Sequence, residues 1–155
     1  MHDFLIRETF PHEVGQFRAG SSSAKVVLEL DEIVGLARSL IRRRAAYGDQ
    51  LPDAAIHDLM ERLAAFLGRC VAVSPFPRVN DIWAHVVLNA LVVDCGFWPG
   101  MHFDFDTTEA SDRYKDAMDA IVNENNPVPL GELILRGWIS KREMYRKAGK
   151  PSRSR

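Results

Sequence analysis

The chain is short of cysteine, of long apolar runs and of net charge, and each shortage removes a class of protein. Its two cysteines, Cys70 and Cys95, both stand inside apolar stretches. That excludes a disulfide scaffold and reads as two small core residues in a reducing compartment. No stretch reaches the ~18 uncharged apolar residues of a membrane span. Asp3, Arg7 and Glu8 surround the apolar Phe4–Ile6, so no signal peptide is expected and a cytoplasmic location follows. There is no internal repeat. Lys and Arg together number 20 against 21 Asp and Glu, for a net charge of −1, which excludes a domain built wholly around nucleic acid.

What is present is an ordinary globular composition, 46% hydrophobic and 26% charged over 155 residues. It fits one domain over residues 1–148 followed by a flexible basic tail over 149–155. The charge is unevenly placed. Lys141 to Arg155 holds seven basic residues and one acid, a local excess of +6, which leaves the body at −7. The tail has two readings, weak salt-sensitive contact with nucleic acid or an acidic protein, and simple solubility.

Periodicity predicts a mostly α fold of about five helices and one short β element. Val26, Val27, Leu28 and Leu30, with β-branching and partial alternation, predict a strand or hairpin arm. Asp31 then reads as the cap of a helix carrying Ile33, Ala37, Leu40, Ile41 and Ala45 and stopping at Gly48. A second helix runs from Asp53 to the Ser74-Pro75 stop. A third is capped by Asn80 or Asp81 and ends at Gly96, and its nearly all-round apolar character predicts a central, buried position. Thr107 or Thr108 opens a fourth, ended by Asn125-Asn126-Pro127, and Pro129 sits in the first turn of a fifth.

Ser74-Pro75-Phe76-Pro77-Arg78-Val79-Asn80-Asp81-Ile82-Trp83-Ala84-His85 lies across the junction between the second and third helices. Here the chain resembles the Fic (Fido) family of nucleotide-transferring proteins, whose signature is His-Pro-Phe-x-x-Gly-Asn-Gly-Arg-x-x-Arg. Gly15-Gln16-Phe17-Arg18 is similar to the family's Gly-x-aromatic-Arg segment, Val26–Leu30 falls where the family has its target-docking flap, and Asn126–Leu133 resembles the closing Pro-Leu helix. The resemblance spans about residues 6–136, with Pro75, Phe76 and Asn80 as the surviving motif positions. It implies a Fic-like helical bundle with a β flap.

The same resemblance implies a chemistry that this sequence has lost. The family's histidine base stands as Ser74, whose hydroxyl is not basic near neutral pH. Val79 and Asp81 replace the glycines of the phosphate nest, one adding a β-branch and the other a repelling carboxylate. Ile82 and His85 replace the two phosphate-clamping arginines. The expectation is a catalytically impaired domain with no cofactor, binding a protein by strand addition along the flap at Val26, Val27, Leu28 and Leu30. A homodimer stays open. The rival is a diverged transferase using ATP and Mg, with His85 or His102 as base, Arg78 as clamp, and Asn80 and Trp83 at the nucleotide. A second rival is a helical regulator touching nucleic acid through the tail.

Several residues carry weaker signals. His85 reads as a partly buried polar residue satisfied by hydrogen bonding, and Asn80 as a helix cap. His102, Asp104 and Asp106 alternate with Phe103 and Phe105, which suggests an extended segment with apolar residues inward rather than a metal site, so no metal is expected. Trp83, Phe97, Trp98 and Trp138 read as core rather than as a stacking platform, and Arg42-Arg43-Arg44 as a solvated stripe.

Overall fold

The computed structural model describes residues 23–48, 51–75 and 80–148, and these described residues form five α-helices: α1 (Ser23–Ala46), α2 (Asp53–Val73), α3 (Asn80–Asp94), α4 (Thr108–Glu124) and α5 (Val128–Ala148). Local chemistry sets several of their ends. The Thr107 hydroxyl accepts the Ala110 N–H at 3.1 Å, capping α4. Asn125 closes the same helix in the left-handed conformation at φ 53°, and Gly96 does so after α3 at φ 83°. Pro129 occupies the first turn of α5, where no amide N–H is missed.

α2 is the hub. It packs against all four other helices, and Leu59, Met60, Leu63, Ala64, Phe66, Leu67, Cys70 and Val73 are all buried. This corrects the expectation that α3 is the central element. α3 is apolar on most sides, yet Ile82 and Ala90 face solvent while Trp83, Leu88, Leu91 and Val92 turn inward. α5 crosses α2 at close range because Gly131 has no side chain. A Cβ there would stand 3.0 Å from the Glu61 amide nitrogen.

The expected flap is not a strand. Val26–Leu30 belongs to α1, and Asp31 lies inside that helix rather than capping it. Val26, Leu30, Ile33, Ala37 and Leu40 form one continuous stripe at helical spacing, and Val26, Ile33 and Leu40 are buried. Burying that stripe on the bundle outweighs the modest β-preference of a Val-Val pair. Because a helix uses its backbone N–H and C=O groups internally, the segment cannot receive an added strand. At the edges of the stripe, Arg43 meets Asp58 at 2.7 Å and Arg69 meets Glu32 at 2.6 Å, tying α1 to α2. The Arg62 and Arg43 guanidinium groups hold the Asp58 carboxyl below its ordinary value. Exposed pairs of this kind contribute about 0–1 kcal/mol each, so the apolar stripe does more than they do to hold α1 in place.

Cys70 and Cys95 are free and buried. Burial pushes their thiols up to about 12 and about 11 respectively, with Asp94 adding to the second. No helix of the described residues is long and apolar enough to cross a membrane. The Gly15–Arg18 segment and the basic tail at 149–155 lie outside the described residues.

Two glycines at helical positions predict opposite outcomes. Gly35 is exposed on α1 with open space around it, so Gly35→Ala is expected to raise stability by about 1 kcal/mol. At Gly137 on α5 a Cβ would collide with the His102 carbonyl, which is main chain and cannot swing away. Gly137→Ala is expected to destabilise by about 2–3 kcal/mol. Urea denaturation of both variants checks the pair.

Candidate functional site

Pro75 is buried and Ser74 half-buried at the C-terminal end of α2, and Asn80 begins α3. Ser74 is left-handed at φ 40°, and its N–H is donated to the Cys70 carbonyl at 3.2 Å. Its hydroxyl is donated to the Val71 carbonyl. The side chain in the base position is therefore a local helix stop. Phe76, Arg78 and Val79 lie outside the described residues.

Asp81 stands in the first turn of α3, where a carboxylate meets the positive end of the helix dipole. It occupies the kind of place that would otherwise attract phosphate. Ile82 follows it and is 52% exposed. Trp83, about 100° further round the helix, is buried.

His85 is one turn further on and fully engaged. Its Nδ1 lies 2.8 Å from the Asp81 carbonyl and its Nε2 lies 2.9 Å from the Tyr114 hydroxyl. A carbonyl can only accept, so Nδ1 carries the proton. In the neutral ring Nε2 then accepts from the Tyr114 O–H. Phe103 packs edge-on against the imidazole at 5.3 Å between centroids, with Phe105 beyond it at 6.4 Å. Tyr114 touches both phenylalanines at 4.9 and 5.2 Å. Burial pushes the Tyr114 phenol up to about 12, and the Asp81 carboxylate adds to the shift.

Neither the Tyr114 partner, 29 residues away, nor this aromatic wall carries a signal in the sequence. The only hint is the Phe103/Phe105 alternation. Those two side chains do not both turn inward, since Phe103 is half-buried and Phe105 is 49% exposed. The segment is irregular, with the Asp106 N–H donated to the Asp104 carboxylate at 2.9 Å. Among the described residues no group of three metal-ligating side chains forms, at His102, Asp104 and Asp106 or elsewhere.

Two clefts share His102 and Phe103. One, of about 230 Å³, is lined by His85, Val86, Asn89, Met101 and Phe105, with no Lys or Arg among its described lining residues. The other, of about 240 Å³, includes Tyr114, Arg113 and Arg136. Both arginines are paired with a carboxylate one turn away, Arg113 with Glu109 at 2.9 Å and Arg136 with Glu132 at 3.9 Å. The His102 Nδ1 is buried without a partner beside them. No protein-family model, curated protein or solved structure matches this chain.

The Tyr114–His85 hydrogen bond has two expected consequences. Tyr114→Phe leaves Nε2 of His85 without its donor, and a loss of about 1 kcal/mol is expected in thermal or urea unfolding. The phenol has a higher pKa folded, about 12, than its ordinary 10.0. Its contribution to stability is therefore complete below pH 10 and lost as pH rises from 10 to 12. An ultraviolet titration of phenolate absorbance should show a late-ionising tyrosine that is missing from Tyr114→Phe.

Proposed function

We propose that this chain is a catalytically silent, Fic-like helical domain that acts by binding another protein. The observation that carries the reading is the cleft beside His85, where apolar and aromatic side chains stand without any described Lys or Arg. A nucleotide polyphosphate needs cations or a ring of free N–H groups to replace its hydration shell. Here the first turn of α3 offers Asp81 instead.

Three further features support it. One helix ends at Val73 and the next begins at Asn80, on either side of the stretch that carries the Fic resemblance. The Ser74 hydroxyl is committed to a main-chain carbonyl, and the Nε2 lone pair of His85 is occupied by Tyr114. Neither group is poised to take a proton from an attacking hydroxyl. Base, nest and clamp would ordinarily each be worth orders of magnitude in rate, so their joint loss favours a non-enzymatic role.

The exposed Ile82 and Phe105 suit a protein surface that covers them. Binding along the Val26–Leu30 segment by strand addition is withdrawn, since those residues are helical. The outer face of α3 takes its place in this reading.

The direct check is incubation with labelled ATP and candidate target proteins, alongside calorimetric titration with ATP, CTP and CDP-choline. No transfer to protein and no binding heat at millimolar nucleotide are expected. Robust labelling that is abolished in Asn80→Ala would overturn the reading in favour of a rearranged transferase.

A further inference from the structure

We propose that the exposed side of the C-terminal half of α5, together with Trp98, is a binding site for single-stranded nucleic acid. Trp138, Lys141, Arg142 and Tyr145 are spaced at i, i+3, i+4 and i+7 and therefore line one side of the helix. Two rings flank two cations along it: Trp138 and Lys141 are half-buried, one edge-on to Phe97 and the other donating to the Met101 carbonyl at 3.4 Å, while Arg142 and Tyr145 are exposed. Trp98 joins them from the loop after α3, its ring meeting Tyr145 edge to face at 5.2 Å between centroids. Its carbonyl accepts the Trp138 indole N–H at 3.3 Å. The Arg142 guanidinium lies over the Trp138 ring, 5.4 Å from its centroid. These contacts hold the group in place while leaving Trp98 62% and Tyr145 51% exposed. The surface position of Trp98 corrects the expectation that it belongs to the core. The core place is taken by its neighbour Phe97, which is buried.

A second observation points outward from the same surface. Arg43, Arg62, Arg69, Arg113 and Arg136 all have a carboxylate within 4.0 Å. Among the described residues Arg142, Arg146 and Lys147 have none, and all three are exposed; Arg38 and Arg42 on α1 are likewise exposed and unmatched. Only the α5 group has large exposed rings beside it, Tyr145 on the same helix in contact with Trp98.

The interleaving selects the ligand. A helix lying on an anionic membrane separates a broad apolar face from its cations, whereas here rings and cations share one side. An acidic peptide would match the charge but gives the rings nothing specific to hold. A single strand presents a phosphate and a flat base at every step, so Arg142, Arg146 and Lys147 take phosphates while Trp98 and Tyr145 receive bases. In a duplex the bases are already stacked, which removes the second contact. This surface uses none of the α3 face and does not depend on the protein-binding role.

The experiment is fluorescence anisotropy of a labelled oligothymidylate of about 20 nucleotides, long enough to cover one such site, titrated with the full-length protein over a range of salt. Saturable binding at low salt is expected, accompanied by quenching of tryptophan emission. Trp98→Ala should weaken binding by about tenfold and remove the quenching, with an unchanged circular dichroism spectrum. Arg142→Gln should reduce the salt slope by about 0.7, while Arg42→Gln on α1, also exposed, leaves it unchanged. The proposal is overturned by no saturable binding at low salt, by equal affinity for a duplex, by wild-type affinity in Trp98→Ala, or by poly-L-glutamate competing as well as the oligonucleotide.

Discussion

Every other described helix rests on α2, and the spacing between them is fixed by how closely α2 can be approached. Its large buried side chains, Leu59, Met60, Leu63, Phe66, Leu67 and Val73, are each worth about 1.5–3 kcal/mol on removal from water. Gly131 brings the α5 backbone against that of α2, and Gly68 leaves room for Ile121 of α4. Single methyl groups at such crossings separate helices that are otherwise in contact. The end of α2 also decides where the Ser74-Pro75 turn points and hence where α3 can start.

That placement absorbs the motif-like residues into packing. Ser74 closes a helix, Asp81 meets a helix dipole, and His85 becomes a polar bridge between α3 and α4 with an aromatic wall around it. Ser74 and His85, at the base position and one clamp position of the motif-like stretch, are each satisfied by neighbours within the fold. A group held in that way is a structural fixture, and chemistry would have to break the hydrogen bond before using it.

What can be read from sequence is local. Ser74-Pro75, Thr107, Asn125, Pro129 and Gly96 mark helix boundaries because each acts through its own backbone or a bond a few residues away. The misreadings are tertiary. Val26 and Val27 favour a strand when taken as a pair, but Val26 also begins a stripe that continues to Leu40 and whose burial depends on the whole bundle. The central position of α2 depends on Gly68 and Gly131, whose value appears only once α4 and α5 are laid across it. His85 is recognisable as a polar residue needing a partner, yet nothing along the chain names Tyr114. The spacing of Trp138, Arg142 and Tyr145 is visible in the sequence, whereas the approach of Trp98 from another loop is not.

The uneven pairing of charges has a consequence for how this molecule meets others. A net charge of −1 gives almost no pull on a distant partner. An uneven distribution still gives a torque: α4 carries Glu109, Asp112, Asp116, Asp119 and Glu124 against Arg113 and Lys115, while the end of α5 carries Lys141, Arg142, Arg146 and Lys147 against Glu143. Within about 8–10 Å, the reach of charge at physiological salt, a charged surface therefore rotates the protein before it attracts it. Encounters are sorted by orientation, so which end arrives first is decided by the sign of the partner.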